Sequence, residues 1–232
     1  KNVTRKVNKL YDEMIADVQK QEEYKDGRVK IRTHIFNGRS VHSVLSAVQE
    51  YHIDLIVMGT QGRSALEQLF FGSTTSEVVQ QTTIPVLAIP EEAEILDYKN
   101  ILFTTDYGSN DLTAFEYITN FAKMYESSIK IIHVEKNKDE KTELLFRGFK
   151  DLINEKIDYK KIKFELLVSD DFLKAVTNQV NEFGFTLIAM VRYQNIFSII
   201  GKKHSKKMSQ STRVPLLVLP GTRESSKSNV VI

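Results

Sequence analysis

Gly59, Gly62 and Gly72 frame one segment of a chain that has ten glycines in all, and Gly72 runs directly into Ser73-Thr74-Thr75-Ser76. A glycine lets backbone N–H groups approach a ligand that a β-carbon would hold off. Ser and Thr favour helix starts, where unpaired N–H groups and hydroxyls face outward. An anion, above all a phosphate, is what such a site suits. Glu77, three positions after Thr74, is placed to complete a capping box. Met58 and Gly59 close the apolar run "DLIVMG", so Gly59-Thr60-Gln61-Gly62 falls at the carboxyl end of a strand. Arg63, beside Gly62, is a cation for a phosphate or for a surface contact. "SALEQLF" (64–70) reads as a short helix or turn before Gly72. Two backbone nests, one after a strand and one at a helix start, are expected to face one crevice.

Other chemistry finds little support. The five histidines (His34, His42, His52, His133, His204) are scattered, and no two sit at helical metal spacing. His133 lies in an apolar strand and reads as a satisfied core residue. There are no cysteines, which excludes disulfides, thiolate metal sites and thiol nucleophiles and fits a reducing compartment. No carboxylate pair stands out as catalytic, and neither serine of "GRS" or "GST" has an evident base. No G-x4-G-K-[S/T] loop occurs. "KMSQS" (207–211) superficially matches a synthetase loop but lacks its partner motif. The residues therefore read as a binding protein, not an enzyme.

These residues need a scaffold, and the chain repeats one. "IPVLAIP" (84–90) matches "VPLLVLP" (214–220), and "DLIVMG" (54–59) matches "TLIAMV" (186–191), each pair about 130 residues apart. The helical stretches before them align too. Val41, Val44, Leu45 and Val48 share one face, as do Leu173, Val176 and Val180. The second copy reads as a strand over "NILFTTD" (100–106), a helix over 111–125, and a strand over "SIKIIHV" (128–134). A helix near 141–156, a strand at "IKFELLV" (162–168) and a helix from Asp171 follow. The last three are a strand at "TLIAMV", a helix near "KKMSQST" and a strand at "PLLVLP". Continuous Ile, Leu and Val strands between helices are buried on both faces. The expected fold is α/β: two tandem doubly wound parallel-sheet domains. Their limits are 1–92 and 98–220, with a polar tail over 221–232. The first copy is N-terminally incomplete, because its first strand, first helix and second strand, about 30 residues, have no counterpart here; such a sheet would expose an apolar edge.

The spacing Gly59, two residues, Gly62, nine residues, Gly72-Ser73 resembles the G-x2-G-x9-G-[S/T] nucleotide motif of the universal stress protein family. "DLIVMGTQGRS" before it and "IPVLAIP" after it look like that family's fourth and fifth strands. The resemblance covers nearly the whole chain as two copies. It implies an adenine nucleotide alpha hydrolase-like fold with ATP, or AMP or ADP, across the crevice. Mg²⁺ would arrive only with the nucleotide. Met58, Gly59, Gly62, Arg63, Gly72, Ser73 and Thr74 would hold the ribose and phosphates. Asp106 matches the family's adenine-contacting aspartate in the second copy. That copy has lost the glycines: Val191 and the neighbourhood of Asn195 stand where Gly59 and Gly62 stood, and only Gly201 survives near the third position. The lysines of "GKKHSKK" (201–207) offer an anion only unfocused charge. One nucleotide site, in the first copy, is expected.

The family also pairs its domains along the last strand, here "PVLAIP" against "PLLVLP"; a homodimer is a further option. A formal net charge of +2 over 232 residues gives no case for a nucleic-acid or acidic-membrane partner. No apolar run approaches the ~20 residues of a membrane helix. The N-terminal "KNVTRKVNKLYDEMIADVQK" lacks a signal core and reads as a helix. The expectation is a cytoplasmic sensor or regulator of stress. The alternative is an interaction scaffold that has lost nucleotide binding, and a third class is an ATP-consuming nucleotidyl transferase.

Overall fold

The computed structural model describes residues 30–60, 72–90, 93, 97–108, 111–192 and 214–221, with 9, 11–13, 15, 16, 19, 20 and 27. Gly62, Arg63, the "SALEQLF" turn, Gly201, the lysine cluster, the helix near "KKMSQST" and the tail beyond Gly221 lie outside the described residues. The chain forms two compact units, Lys1–Gly38 and Arg39–Ile232. In the first, residues 9, 11–13, 15 and 16 are helical, in line with the N-terminal helix expected, and 30–37 carry no regular structure.

The second unit is a seven-stranded sheet with helices on both faces. Its strands are β1 (Ile56–Gly59), β2 (Val86–Ile89), β3 (Asn100–Thr104), β4 (Ser128–Glu135), β5 (Ile162–Val168), β6 (Leu187–Val191) and β7 (Leu216–Leu219). They lie in the order β1-β2-β7-β6-β3-β4-β5. Its helices are α1 (Ser40–Glu50), α2 (Ser73–Gln81), α3 (Asp111–Tyr125), α4 (Glu140–Lys156) and α5 (Phe172–Phe183). The fold is α/β with a mainly parallel sheet, as the continuous apolar strands require.

Side chains alternate along each central strand, so the sheet divides the core in two. Ile188 and Met190 of β6, with Leu216 and Val218 of β7, face Val78 and Val79 of α2 and Val176 and Val180 of α5. Val41, Val44 and Val48 of α1 pack against that layer. Leu187, Ala189 and Val191, with Leu217 and Leu219, face Phe115 and Ile118 of α3 and Phe149 and Ile153 of α4. This period of two is the pleat itself. Side-chain caps start two helices: Asp139 accepts from the Thr142 amide at 2.8 Å before α4, and Asp171 from the Lys174 amide at 3.0 Å before α5. Gly184 ends α5 with φ 63°, a left-handed cap that suits glycine.

All strand pairs are parallel except one: β2 runs antiparallel to β7, with Val86 opposite Val218, Leu87 opposite Leu217 and Ala88 opposite Leu216. The two sequence repeats make matching hydrogen bonds beside this ladder. Ile56 donates to Pro85 and Ile188 to Pro215, both at 3.0 Å; Thr60 donates to Ile89 at 3.0 Å and Arg192 to Leu219 at 2.8 Å. The repeats differ at their outer sides. β6 is buried at every position because β3 lies beside it, whereas β1 is the sheet's edge and its Val57 is 56% exposed.

Candidate functional site

β1 delivers Met58 and Gly59 to its carboxyl end, and α2 starts beside it. Met58 packs against the core, and Gly59 faces outward. Two hydrogen bonds staple the strand end to the helix start. The Thr75 hydroxyl donates to the Gly59 carbonyl at 2.9 Å, and the Gly72 amide donates to the Thr60 carbonyl at 2.6 Å. Met58, Gly59, Gly72, Ser73 and Thr74 are therefore brought to one place, with Gly62 and Arg63 outside the described residues.

The expected Thr74–Glu77 capping box does not form. The cap position belongs to Gly72, and no side chain caps α2. Thr74 is then already the second helical residue, too far in to cap. Glu77 instead accepts from the Gln81 side chain, one turn on, at 3.0 Å. The first i→i−4 bond of the helix runs from Ser76 to Gly72 at 2.9 Å, which leaves the amides of Ser73, Thr74 and Thr75 ahead of it. No acidic residue stands in the first turn. Among the described residues no carboxylate in the first turn offsets the partial positive charge of the helix dipole.

Gly59 has a further property. A β-carbon built there meets nothing within 4 Å, and its backbone is not in the left-handed region. Neither backbone conformation nor packing among the described residues demands glycine. What its hydrogen leaves open is space on the exposed face of the strand end, the face opposite Met58.

In the second copy the strand end is arranged differently. Asp106 lies just beyond β3, the first strand of that copy, at the position the family resemblance implies. Desolvation raises its carboxyl above the ordinary range, His133 opposes the rise and Glu135 adds to it. Asp111, the first residue of α3, is fully buried, and its carboxylate gathers the turn around itself. It accepts from the Thr105 hydroxyl and from the amides of Asp106 and Gly108, both at 3.2 Å. Burial pushes its carboxyl up to about 6, against the lowering by those hydrogen bonds. The amides of this turn are thus occupied by the protein's own carboxylate. Sequence reasoning passed over Asp111. The available signal was its place on the apolar stripe of α3, in register with Ala114, Phe115, Ile118 and Ala122. His133 is buried, as expected; its Nδ1 lies 2.7 Å from the Thr105 carbonyl, and its ring stacks on Tyr107 at 4.1 Å.

Where the second copy lost Gly59 and Thr60 it has Val191 and Arg192. Val191 is core, and the Arg192 guanidinium turns to the carbonyls of Val79 and Thr82 at the end of α2, at 2.6 and 2.7 Å. Among the described residues no group of three or more His, Cys, Asp or Glu side chains could hold a metal ion. No helix of the described residues is long and apolar enough to cross a membrane.

The chain is similar to known proteins in part of its sequence and in its fold. Residues 3–90 match the sequence profile of the Universal stress protein family. Over 61 residues the chain is 34% identical to the universal stress protein MJ0531 of Methanocaldococcus jannaschii, covering 26% of this chain and 36% of that protein. It is 36% identical over 61 residues to the universal stress protein YxiE of Bacillus subtilis, covering 26% and 41%. These matches span well under half the length of the curated relatives. In fold, the chain is similar to a crystal structure of a universal stress protein from Archaeoglobus fulgidus, with TM-score 0.68 at 18% identity over 95% of this chain and 79% of that one. A structure described as a putative universal stress protein from Pseudomonas aeruginosa aligns with TM-score 0.65 at 12% identity, over 90% and 78%.

Proposed function

We propose, from the premise that residues 3–90 belong to the universal stress protein family, that the chain binds an adenine nucleotide, ATP foremost, at the junction of β1 and α2. The observation that carries the reading is the start of α2, where Gly72 holds the cap position with no side-chain cap, stapled by Thr75 to the Gly59 carbonyl at the end of β1. The amides of Ser73, Thr74 and Thr75 and the hydroxyls of Ser73 and Thr74 would take the phosphates. Gly59 and Gly62 would let the backbone close on them, with Met58 beneath and Arg63 alongside. Mg²⁺ would come with the nucleotide, held by its phosphates. Among the described residues the site has amides and hydroxyls but no general base, and the reading is of a sensor or regulator, not of a catalyst. The two repeats, 1–92 and 98–220, would act as tandem domains joined along β2 and β7 in a cytoplasmic protein.

Gly59→Val tests this without disturbing the fold, because a β-carbon there touches nothing. Full-length protein should release ATP, ADP or AMP on denaturation, and nucleotide-free protein should bind ATP in calorimetric titration. Gly59→Val and Gly72→Val should each lose that binding. A folded Gly59→Val that binds as wild type removes Gly59 from the site. Wild-type protein that neither carries nor binds nucleotide returns the case to the interaction scaffold. One observation favours that second reading for the second copy: its strand-end arginine is engaged with protein carbonyls.

A further inference from the structure

Helix α2 is held at both ends, and by different copies of the repeat. Its start is tied to β1 through Thr75 and Gly72. Its end is tied by Arg192, whose guanidinium donates to the Val79 and Thr82 carbonyls. Last-turn carbonyls have no partner inside a helix, and a cation there also meets the negative end of the dipole. Arg192 comes from directly after β6. It occupies the place that Thr60 holds in the first copy, and the two residues make matching amide bonds to Leu219 and Ile89. The arginine's backbone is closely packed: a β-carbon at Gly221 would collide with the Arg192 carbonyl. Because β2 and β7 are antiparallel, the carboxyl end of β6 comes to the rim of the sheet where α2 ends and β2 begins.

We infer that Arg192 is a positioning residue for the phosphate site at the start of α2, acting from the second copy along the helix axis. The inference rests on the nucleotide reading of that site. A helix of nine residues is about 14 Å long and moves as a rod. Only Thr75, Val78 and Val79 of α2 are buried, so its ends do much to fix its position. Releasing the Arg192 end leaves two carbonyls short of a donor and lets the rod shift, carrying the Ser73, Thr74 and Thr75 amides with it. The link also runs in reverse. Nucleotide that steadies the start of α2 steadies its grip on Arg192, so occupancy of the first copy is felt by a second copy that need bind nothing. This gives the degenerate copy a use: it reads the state of the intact one.

The test uses the full chain with Arg192→Met, Arg192→Lys and the exposed control Arg147→Ala. Two quantities are read: the ATP Kd by calorimetry, and hydrogen exchange of the Gly72 and Ser76 amides, which are bonded to the Thr60 and Gly72 carbonyls, in nucleotide-free protein. Arg192→Met should raise the Kd about tenfold and speed exchange at those amides. Arg192→Lys, which keeps the charge but loses the fork, should fall between, and Arg147→Ala should match wild type. Unchanged exchange at Gly72 and Ser76 in Arg192→Met overturns the inference whatever the Kd. Faster exchange with wild-type affinity also overturns it, and leaves Arg192 a helix cap. Wild-type protein that binds no ATP defeats the nucleotide reading instead, and the exchange data then still decide whether Arg192 fixes the helix start.

Discussion

Leu87 and Leu217 sit directly opposite each other in the antiparallel pair of β2 and β7, and they are also the same residue of the sequence repeat. On either side, Val86 faces Val218 and Ala88 faces Leu216, so equivalents are exchanged about that central pair. A local two-fold axis therefore passes between the two leucines, as in an isologous contact between identical subunits. Leu217 is 1% exposed and Leu87 6%. Leu217→Ala should cost about 2–5 kcal/mol in urea unfolding. The double variant with Leu87→Ala should cost less than the two single losses together, since cross-strand partners share one cavity. Strict additivity would mean that the two side chains do not touch.

Thr75 joins helix to strand through a single hydroxyl. Thr75→Val keeps the shape but leaves the Gly59 carbonyl without that donor, at a cost of about 1–3 kcal/mol. On the proposed function it should also weaken ATP binding, and Thr75→Ser should restore both. Thermal melts and a nucleotide titration on the three proteins check this together. A Thr75→Val protein as stable as wild type would show the staple to be dispensable.

Asp111 makes stability depend on pH with an unusual sign. Its folded pKa of about 6 lies above the ordinary aspartate value of 3.8. Between those values the folded state holds more protons than the unfolded one, so the contribution of this group to stability falls as pH rises from about 4 to about 6. Asp106, also raised, acts in the same direction. Unfolding free energies at pH 4, 5, 6 and 7 should show wild type losing stability relative to Asp111→Asn across that window. Parallel curves would place the titration of Asp111 elsewhere.

Gly184 isolates a backbone effect. Its φ of 63° suits glycine, and a β-carbon there would meet no atom within 4 Å. Gly184→Ala should therefore cost about 1 kcal/mol through conformation alone, with Gly184→Asn recovering part. Denaturant midpoints at unchanged slope are the measurement.

How far these features can be read from sequence depends on how local their causes are. β5 and α3 begin and end where the apolar pattern places them, because Ile162–Val168 and Asp111–Tyr125 are bounded by their own neighbours. The capping box failed because Gly72 could take the cap itself, a choice between adjacent residues that spacing does not resolve. Asp111 was partly legible, as a carboxylate on an apolar stripe. Arg192 was not legible at all. Its partners, Val79 and Thr82, are over a hundred positions away and are backbone carbonyls, which leave no trace in side-chain pattern.

The strand order bears on how the chain is made. β2 is followed in sequence by β3 but neighbours β7, which leaves the ribosome after all the other described strands. Until Leu216–Leu219 emerges, the hydrogen-bonding edge of β2 stays bare while β3, β4, β5 and β6 are already available to one another. A contact this distant in sequence costs loop-closure entropy before its pairing is gained. A nascent chain stalled before Val214 would hold an apolar β2 edge open to its neighbours on the same message, and pairing between chains would begin there.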